Sequence, residues 1–438
     1  MLTLLSIIFS SLSILTVGLI GLLITLYIIN YTKLNKANIP LYKLLIIIFL
    51  INILSILILY FGYENYFGLP YYDGGSDDLK FEIWAKQAIK HGLDFPWQYS
   101  RDLAFRSNNS KGFVWLISLL MRINESLGGY HTISFRVLNV NFLISIGVLA
   151  TSYFAKHYKF GKTENSILLL FVTLFPNMMY LSNHVFRDTL ISLILFYVFY
   201  IWDDYLTDRK NGILLLLFKT ILITYFSFWV REQSVFFIGI IIIINVLLKE
   251  NYIKIKNIFI YTGCLLLVLI LAQRTGLLEE VLSFNENYTE HKLSISDGLT
   301  THIFSISLFP FGIILRFLYG LLFPIPLQLL NILRMFSNID MFYQVLISFG
   351  SVIQIYLLPY LFRNFKKMDK LFILYNVFLI GIVITTFTFR HFVTLYPYMF
   401  ILIFRQYFLV SKKGKTINLI IVSMALILLL TIYMILSF

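Results

Sequence analysis

The sequence predicts an all-α fold: a polytopic transmembrane helix bundle of about twelve spans, with amphipathic juxtamembrane helices in its first large extracytoplasmic loop. Three observations carry this expectation. The 438 residues are 59% hydrophobic and only 13% charged, with a mean hydropathy of +0.83, more apolar surface than a soluble domain hides. The apolar residues fall in long runs, several of them near the roughly 20 residues that a spanning helix needs. The basic residues gather in six short loops between those runs: Lys33, Lys36 and Lys43; Lys156, Lys159 and Lys162; Arg209 and Lys210; Lys249, Lys254 and Lys256; Arg363, Lys366, Lys367 and Lys370; Lys412, Lys413 and Lys415. Such clustering is the positive-inside pattern, and it orients the chain in a cytoplasmic membrane.

With those loops cytoplasmic, the spans follow in order. Residues 2–29 run inward and 44–60 outward; 133–155 return, 166–181 leave, 190–202 return and 213–229 leave. Then 234–248 run in, 258–272 out, 341–362 in, 371–389 out, 392–409 in and 416–438 out. The first segment lacks the basic start and small-residue cleavage site of a signal peptide, so it reads as a span that stays. Residues 112–123 ("GFVWLISLLMRI") are too short to cross, and a crossing there would reverse every later loop. They read as a helix on the outer surface. Residues 303–333 are broken by Pro310, Pro324 and Pro326 and carry Arg316, which suggests half-helices or a re-entrant element. The whole is one membrane domain, 1–438, with outer segments at 61–132 and 273–340.

Several function classes drop out. The net charge of +13 is accounted for by the loops, so the expected partner is the lipid bilayer and not nucleic acid. The single cysteine, Cys264, excludes an intramolecular disulfide, and no CxxC or HExxH spacing suggests zinc.

The densest acidic stretch lies in the first outer loop: "YYDGGSDDLKFEIW", residues 71–84, holds Asp73, Asp77 and Asp78. Apolar residues at Phe81, Trp84, Ala85, Ala88 and Ile89 repeat as an amphipathic helix does, and Ser76 stands at its N-cap. Aspartates in a first helical turn are favoured by the helix dipole and need no other purpose. A carboxylate held beside the lipid interface is the functional alternative. Three tight outer turns add charge at span depth, where ionisable groups usually face a cavity: Arg187 and Asp188, Arg231 and Glu232, and Arg390 and His391. Singly, each reads as an interfacial helix end, and paired they would lock the bundle. Together on one face they suit a different task, an acid to deprotonate an acceptor and cations to hold a phosphate leaving group. Arg136 and Arg274 are weaker candidates for the same face.

The layout resembles the GT-C superfamily of integral-membrane glycosyltransferases, which includes protein O-mannosyltransferases and aminoarabinose transferases. "GGSDDLKFEIWAKQAI" resembles the acidic first-loop element, and "KGFVWLISLLMRINESLGG" the second juxtamembrane helix. "FPNMMYLSNHVFRDTLISLILF" is similar to the proline-then-aspartate outer turn, and "RHFVTLYPYMFILI" to the C-terminal Arg-aromatic-Pro segment. The chain departs from the pattern in having no large soluble C-terminal domain, in Glu232 where many relatives have proline, and in an extra N-terminal helix. The resemblance implies a membrane glycosyltransferase using a polyprenyl-phosphate-linked sugar donor and a glycan or lipid acceptor. Asp77 or Asp78 would be the general base, with Asp188 orienting the acceptor or assisting that base. Arg187, Arg231, Arg390 and His391 would bind the donor phosphate. No cofactor is required, although Asp77, Asp78 and Asp188 offer hard oxygen ligands for a divalent cation. Two other readings stay open: a polysaccharide polymerase using polyprenyl-pyrophosphate-linked repeat units, and a lipid or polysaccharide transporter.

The orientation is directly testable in a chain whose Cys264 is replaced by Ser. A cysteine at Gly75 is expected to react with an impermeant thiol reagent added outside, and one at Gly161 is not. Reversed labelling would put the acidic stretch in the cytoplasm and remove the basis of the site.

Overall fold

The computed structural model describes residues 1–248 apart from 35–39, 104, 106–109 and 209–211, and residues 299–437 apart from 367–368 and 386–388, with a few isolated residues between. The expected span at 258–272, the outer segment from Gln273 to the start of the later helices, and Arg274 lie outside the described residues. Among the described residues there is no β-strand, and six helices are long and apolar enough to cross a membrane, or seven if one bent pair is a single span.

In chain order the helices are α1 (Leu2–Ile8), α2 (Ser13–Thr32), α3 (Leu41–Phe67), α4 (Asp77–Lys90), α5 (Pro96–Tyr99), α6 (Lys111–Asn124), α7 (Thr132–Tyr158), α8 (Lys162–Leu174), α9 (Pro176–Ser182), α10 (Asp188–Asp208), α11 (Ile213–Val230) and α12 (Ser234–Leu247). Then follow α13 (Leu299–Ser305), α14 (Ile313–Leu322), α15 (Ile339–Phe362), α16 (Lys370–Thr385), α17 (Tyr396–Tyr407) and α18 (Lys412–Ser437). The six long apolar helices are α2, α3, α7, α10, α11 and α15. Two compact units result, one of residues 1–242 with 328–347, the other of 243–327 with 348–438.

The first unit is built around α7, whose most apolar window is wholly buried by protein. That helix is not simply apolar. It carries Ser134, Asn139, Asn141, Ser145, Thr151 and Ser152, all buried. Helices in lipid gain little from apolar contact with each other, so small residues and hydrogen bonds hold them together. The α2–α7 seam shows both devices. The hydroxyls of Ser13 and Ser134 lie 2.7 Å apart, those of Thr25 and Ser145 3.2 Å apart, and a Cβ at Gly21 would come within 2.7 Å of the Asn141 amide nitrogen. Ser13, Gly21 and Thr25 fall on one stripe of α2 because their spacing is a multiple of four.

These pairs also fix direction. Residue numbers rise together along the seam, so α2 and α7 run parallel. The chain between them therefore makes one net crossing, and α3 accounts for it without α6. The same reasoning makes α10 parallel to α7, from Asn139 Nδ2 donating to Phe186 O (3.0 Å) at one end to His157 Nε2 against Asp203 (2.7 Å) at the other.

Two expected spans are broken. Residues 2–29 form α1 and α2 with a turn between them, in which Ser10 takes a left-handed φ of 49°. Ser11 Oγ donates to Gly129 O (3.0 Å), so a tertiary bond holds a turn that hydropathy does not mark. Residues 166–181 divide at Pro176 into α8 and α9, bent by 51°, as proline at a first helical position requires.

In the second unit, the proline-broken stretch becomes α13, a π-helical turn at Leu308–Gly312 and α14, and the 3₁₀ run Leu327–Arg334 that follows belongs from Gln328 onward to the first unit. Gln354 on α15 donates to Leu321 O (2.9 Å), one of the carbonyls left open where α14 stops. At the far end, Arg405 on α17 is buried against Asp369 and Asn364. Because Gly75 has φ 126° and a Cβ there would meet Leu79, exposed Lys80 and Lys162 are the cleaner labelling positions.

Candidate functional site

Three elements of the first unit converge at the end of α7 that begins with Thr132. The first is the turn before α4. Asp73 (φ 47°), Gly74 (φ 65°) and Gly75 (φ 126°) all lie in the left-handed region, so the chain reverses within three residues. Ser76 occupies the N-cap without a side-chain bond. Asp78 does the capping work: its Oδ2 accepts from Tyr72 N and its Oδ1 from Leu79 N, each at 3.0 Å.

The face that α4 buries is Asp78, Phe81, Glu82, Ala85 and Ala88, an i, i+3, i+4, i+7 stripe. It is rotated from the all-apolar stripe read in the sequence, and it takes in two carboxylates. Both lie near Arg136 on α7, which is completely buried. Arg136 Nη2 donates to Pro70 O and stands 3.9 Å from Asp78 Oδ2, while its Nε and Nη1 have no hydrogen-bond partner among the described residues. Glu82 accepts from Tyr71 OH (2.7 Å) and Tyr130 OH (3.2 Å). Phe81, Phe113 and Phe135 stack edge to face, 4.9 and 5.1 Å apart, and bind α4 and α6 to α7.

The protonation consequences follow from burial. Desolvation pushes the Asp78 carboxyl up to about 6, against the opposing pull of Arg136 and the two N–H donors. Glu82 is raised for the same first cause, opposed by Tyr71. His131, the cap of α7, is lowered to about 4 by burial and by Arg136.

The second element is the loop between α9 and α10. Asn139 Nδ2 donates to His184 O (2.7 Å) and Phe186 O (3.0 Å), which fastens the loop to α7 one turn past Arg136. His184 is buried: its Nδ1 donates to Tyr180 O (2.7 Å), leaving Nε2 to accept from Tyr63 OH (3.2 Å). The Tyr72 ring meets His184 and Phe186 edge-on at 5.7 and 5.9 Å. The residue whose N–H holds Asp78 thus also abuts the loop that delivers Arg187 and Asp188.

The third element is the tight turn between α11 and α12. The hydroxyls of Ser227 and Ser234 touch, and Ser234 Oγ also lies 2.5 Å from Arg231 O, so the turn is cross-linked and Arg231 takes extended backbone. Arg231 Nη1 stands 3.5 Å from Asp188 Oδ1, with both side chains mostly buried. Arg187 donates to Ser110 Oγ at the start of α6. There α6 comes so close to α11 that a Cβ on Gly112 would lie 2.6 Å from the Trp229 carbonyl carbon and 2.8 Å from Val230 N. Only glycine fits that approach, and it brings Ser110, Arg187 and Arg231 together.

The structure therefore gathers Asp77, Asp78, Asp188, Arg187 and Arg231 on connected elements of one unit. Asp77 is half-buried, whereas Asp78 has no solvent exposure. Arg390 and His391 lie on the 3₁₀ turn Phe389–Thr394 of the second unit, half-buried beside the start of α17. Sequence reasoning did not find Glu82, Tyr71, Tyr130, Asn139 or His184. Glu82 stands four residues from Asp78, a spacing that puts both on one helix face, and that signal was available. Among the described residues no three His, Cys, Asp or Glu side chains form a group able to hold a metal ion. No protein-family model, no curated protein and no solved structure matches the chain.

Asp78 gives a signed pH dependence. Burial raises its folded pKa from the ordinary carboxylate range to about 6, so the stability it contributes is fully present below about pH 4 and is lost as pH rises through 6. The thermal stability of the wild-type chain relative to Asp78→Asn is expected to decline between pH 4 and 7 in detergent. A wild-type stability that stays constant or rises with pH relative to Asp78→Asn would contradict this environment for Asp78.

Proposed function

We propose that the chain is a membrane glycosyltransferase of GT-C type, which transfers a sugar from a polyprenyl-phosphate-linked donor to a glycan or lipid acceptor at the extracytoplasmic face of a cytoplasmic membrane. The observation that supports it most is the grouping at one end of α7: a half-buried carboxylate at the start of α4, with the Arg187–Ser110 contact and the Asp188–Arg231 pair on neighbouring elements. A twelve-span topology with outer juxtamembrane helices belongs to the same reading, and α4 and α6 are the two helices that would lie there.

The chemistry asks for few groups. A base takes the proton from an acceptor hydroxyl as its oxygen forms a bond to the anomeric carbon. The bond from that carbon to the phosphate oxygen breaks on the opposite face, so configuration inverts and the lipid phosphate leaves with the electron pair. Asp77 is the base in this proposal, because it combines partial exposure with a place in the first turn of α4. Asp78, its two oxygens held by Tyr72 and Leu79, positions that turn. Asp188 orients the acceptor. Arg231 and Arg187 hold the departing phosphate, a task suited to the planar guanidinium fork.

The test is glycan analysis of a deletion strain complemented with each variant. Asp77→Asn is tolerated at a helix N-terminus, so the protein is expected to insert and run monodisperse, with transfer reduced about 10²–10⁴-fold. Arg231→Lys keeps the charge but loses the fork, and a clear loss of product is expected from it as well. Full restoration of the glycan by Asp77→Asn would remove that residue from the chemistry.

A further inference from the structure

At the opposite end of the first unit lies a second arrangement that the proposed reaction does not use. Tyr31 at the end of α2, Tyr205 on α10, and Leu215, Leu216 and Lys219 on α11 line a recess together with Ile201. Lys219 is the seventh residue of α11, about 9 Å along the helix from its start. An ionisable side chain at that depth is costly and usually has a purpose.

Its surroundings define what it can bind. The Lys219 ammonium stands 5.3 Å from the Tyr31 ring centroid, and among the described residues it meets no carboxylate. The nearby acids are already met by cations: His157 takes Asp203 at 2.7 Å, and Lys156 takes Asp204 at 2.7 Å and Asp208 at 3.3 Å. One face of α11 points outward with apolar side chains, Leu214, Phe218, Ile221 and Leu222 being exposed. Tyr27 and Tyr197, with hydroxyls 3.5 Å apart, extend the aromatic wall along α2 and α10. The recess thus has an ammonium and two tyrosines in its lining and a greasy flank beside it. A cation between spanning helices, near their lysine-rich ends, is the kind of site that takes the head group of an acidic lipid.

We propose that this recess is a binding site for one anionic phospholipid: its phosphate on the Lys219 ammonium, its acyl chains along the exposed face of α11. The phosphate would be held by charge in the recess that Tyr31 and Tyr205 line, and the tails by apolar contact. The site is independent of the transfer chemistry proposed above.

The experiment uses the full chain in nanodiscs of phosphatidylcholine with a rising fraction of phosphatidylglycerol. Retained lipid is read by native mass spectrometry and stability by thermal unfolding. Lys219→Met is expected to weaken phosphatidylglycerol retention about fivefold, the effect of one lysine near a membrane surface, and to leave phosphatidylcholine retention unchanged. Lys219→Arg should keep the preference, as should Lys162→Met, which removes an exposed lysine at the start of α8. Lys219→Gln gives the same reading should the Met variant aggregate. Equal phosphatidylglycerol retention by wild type and Lys219→Met overturns the site, and so does an equal loss in Lys162→Met, which would mean diffuse charge. A third arm adds inorganic phosphate in pure phosphatidylcholine discs. Stabilisation of the wild type there, absent in Lys219→Met, would make the ligand a soluble anion and not a lipid.

Discussion

The first unit depends on one buried charge. Arg136 sits at the top of a helix enclosed by protein, with no solvent exposure and two guanidinium nitrogens lacking a hydrogen-bond partner among the described residues. A guanidinium does not give up its proton in such a place, so counter-charge must come to it. It comes from a segment more than fifty residues earlier, through Asp78, Glu82 and the Pro70 carbonyl. That requirement draws the acidic turn down onto α7. The phenols of Tyr71 and Tyr130 then satisfy Glu82, and the three stacked phenylalanines seal the contact.

The candidate site inherits its geometry from this anchorage. Because Asp78 is held from two sides, its neighbour Asp77 is fixed at the start of α4 with part of its surface open. Because Tyr72 abuts His184 and Phe186, the loop carrying Arg187 and Asp188 is placed against the same turn. Asn139, one turn along from Arg136, ties that loop to the same helix. A buried ion pair need not stabilise a fold compared with an apolar replacement, but its loss on one side is costly. Its role here is positional: it sets where the Asp77 carboxylate can stand.

Much of this was legible in the sequence, and the exceptions have physical causes. The length of residues 112–123 marked α6 as too short to cross, and the parallel course of α2 and α7 needs only α3 between them. The prolines at 310, 324 and 326 marked a broken stretch because proline cannot continue a helix through its own position, yet residues 166–181 read as one span although Pro176 breaks them by the same rule. The charged turns at Asp188 and Arg231 were visible as ions at the ends of apolar runs, although hydropathy could not show that they pair. Hidden from the sequence were features made by distant partners. Ser10 turns because Ser11 bonds to Gly129; Arg187 is held by Ser110, 77 residues away. The buried stripe of α4 was misplaced because Asp78 and Glu82 count as polar until Arg136 is known to lie beside them.

A double-mutant cycle on Arg136 and Asp78, read as thermal unfolding in detergent at pH 7.5, tests the anchorage most directly. Arg136→Met strands the Asp78 carboxylate in a dry site and should be strongly destabilising, by about 3–5 kcal/mol. Adding Asp78→Asn removes the stranded charge, so the double variant is expected to be more stable than Arg136→Met alone, a coupling well above the 0.3–0.5 kcal/mol or so seen between independent sites. Strictly additive effects would mean that the two groups do not hold one another, and the account of how the acidic turn reaches α7 would fail.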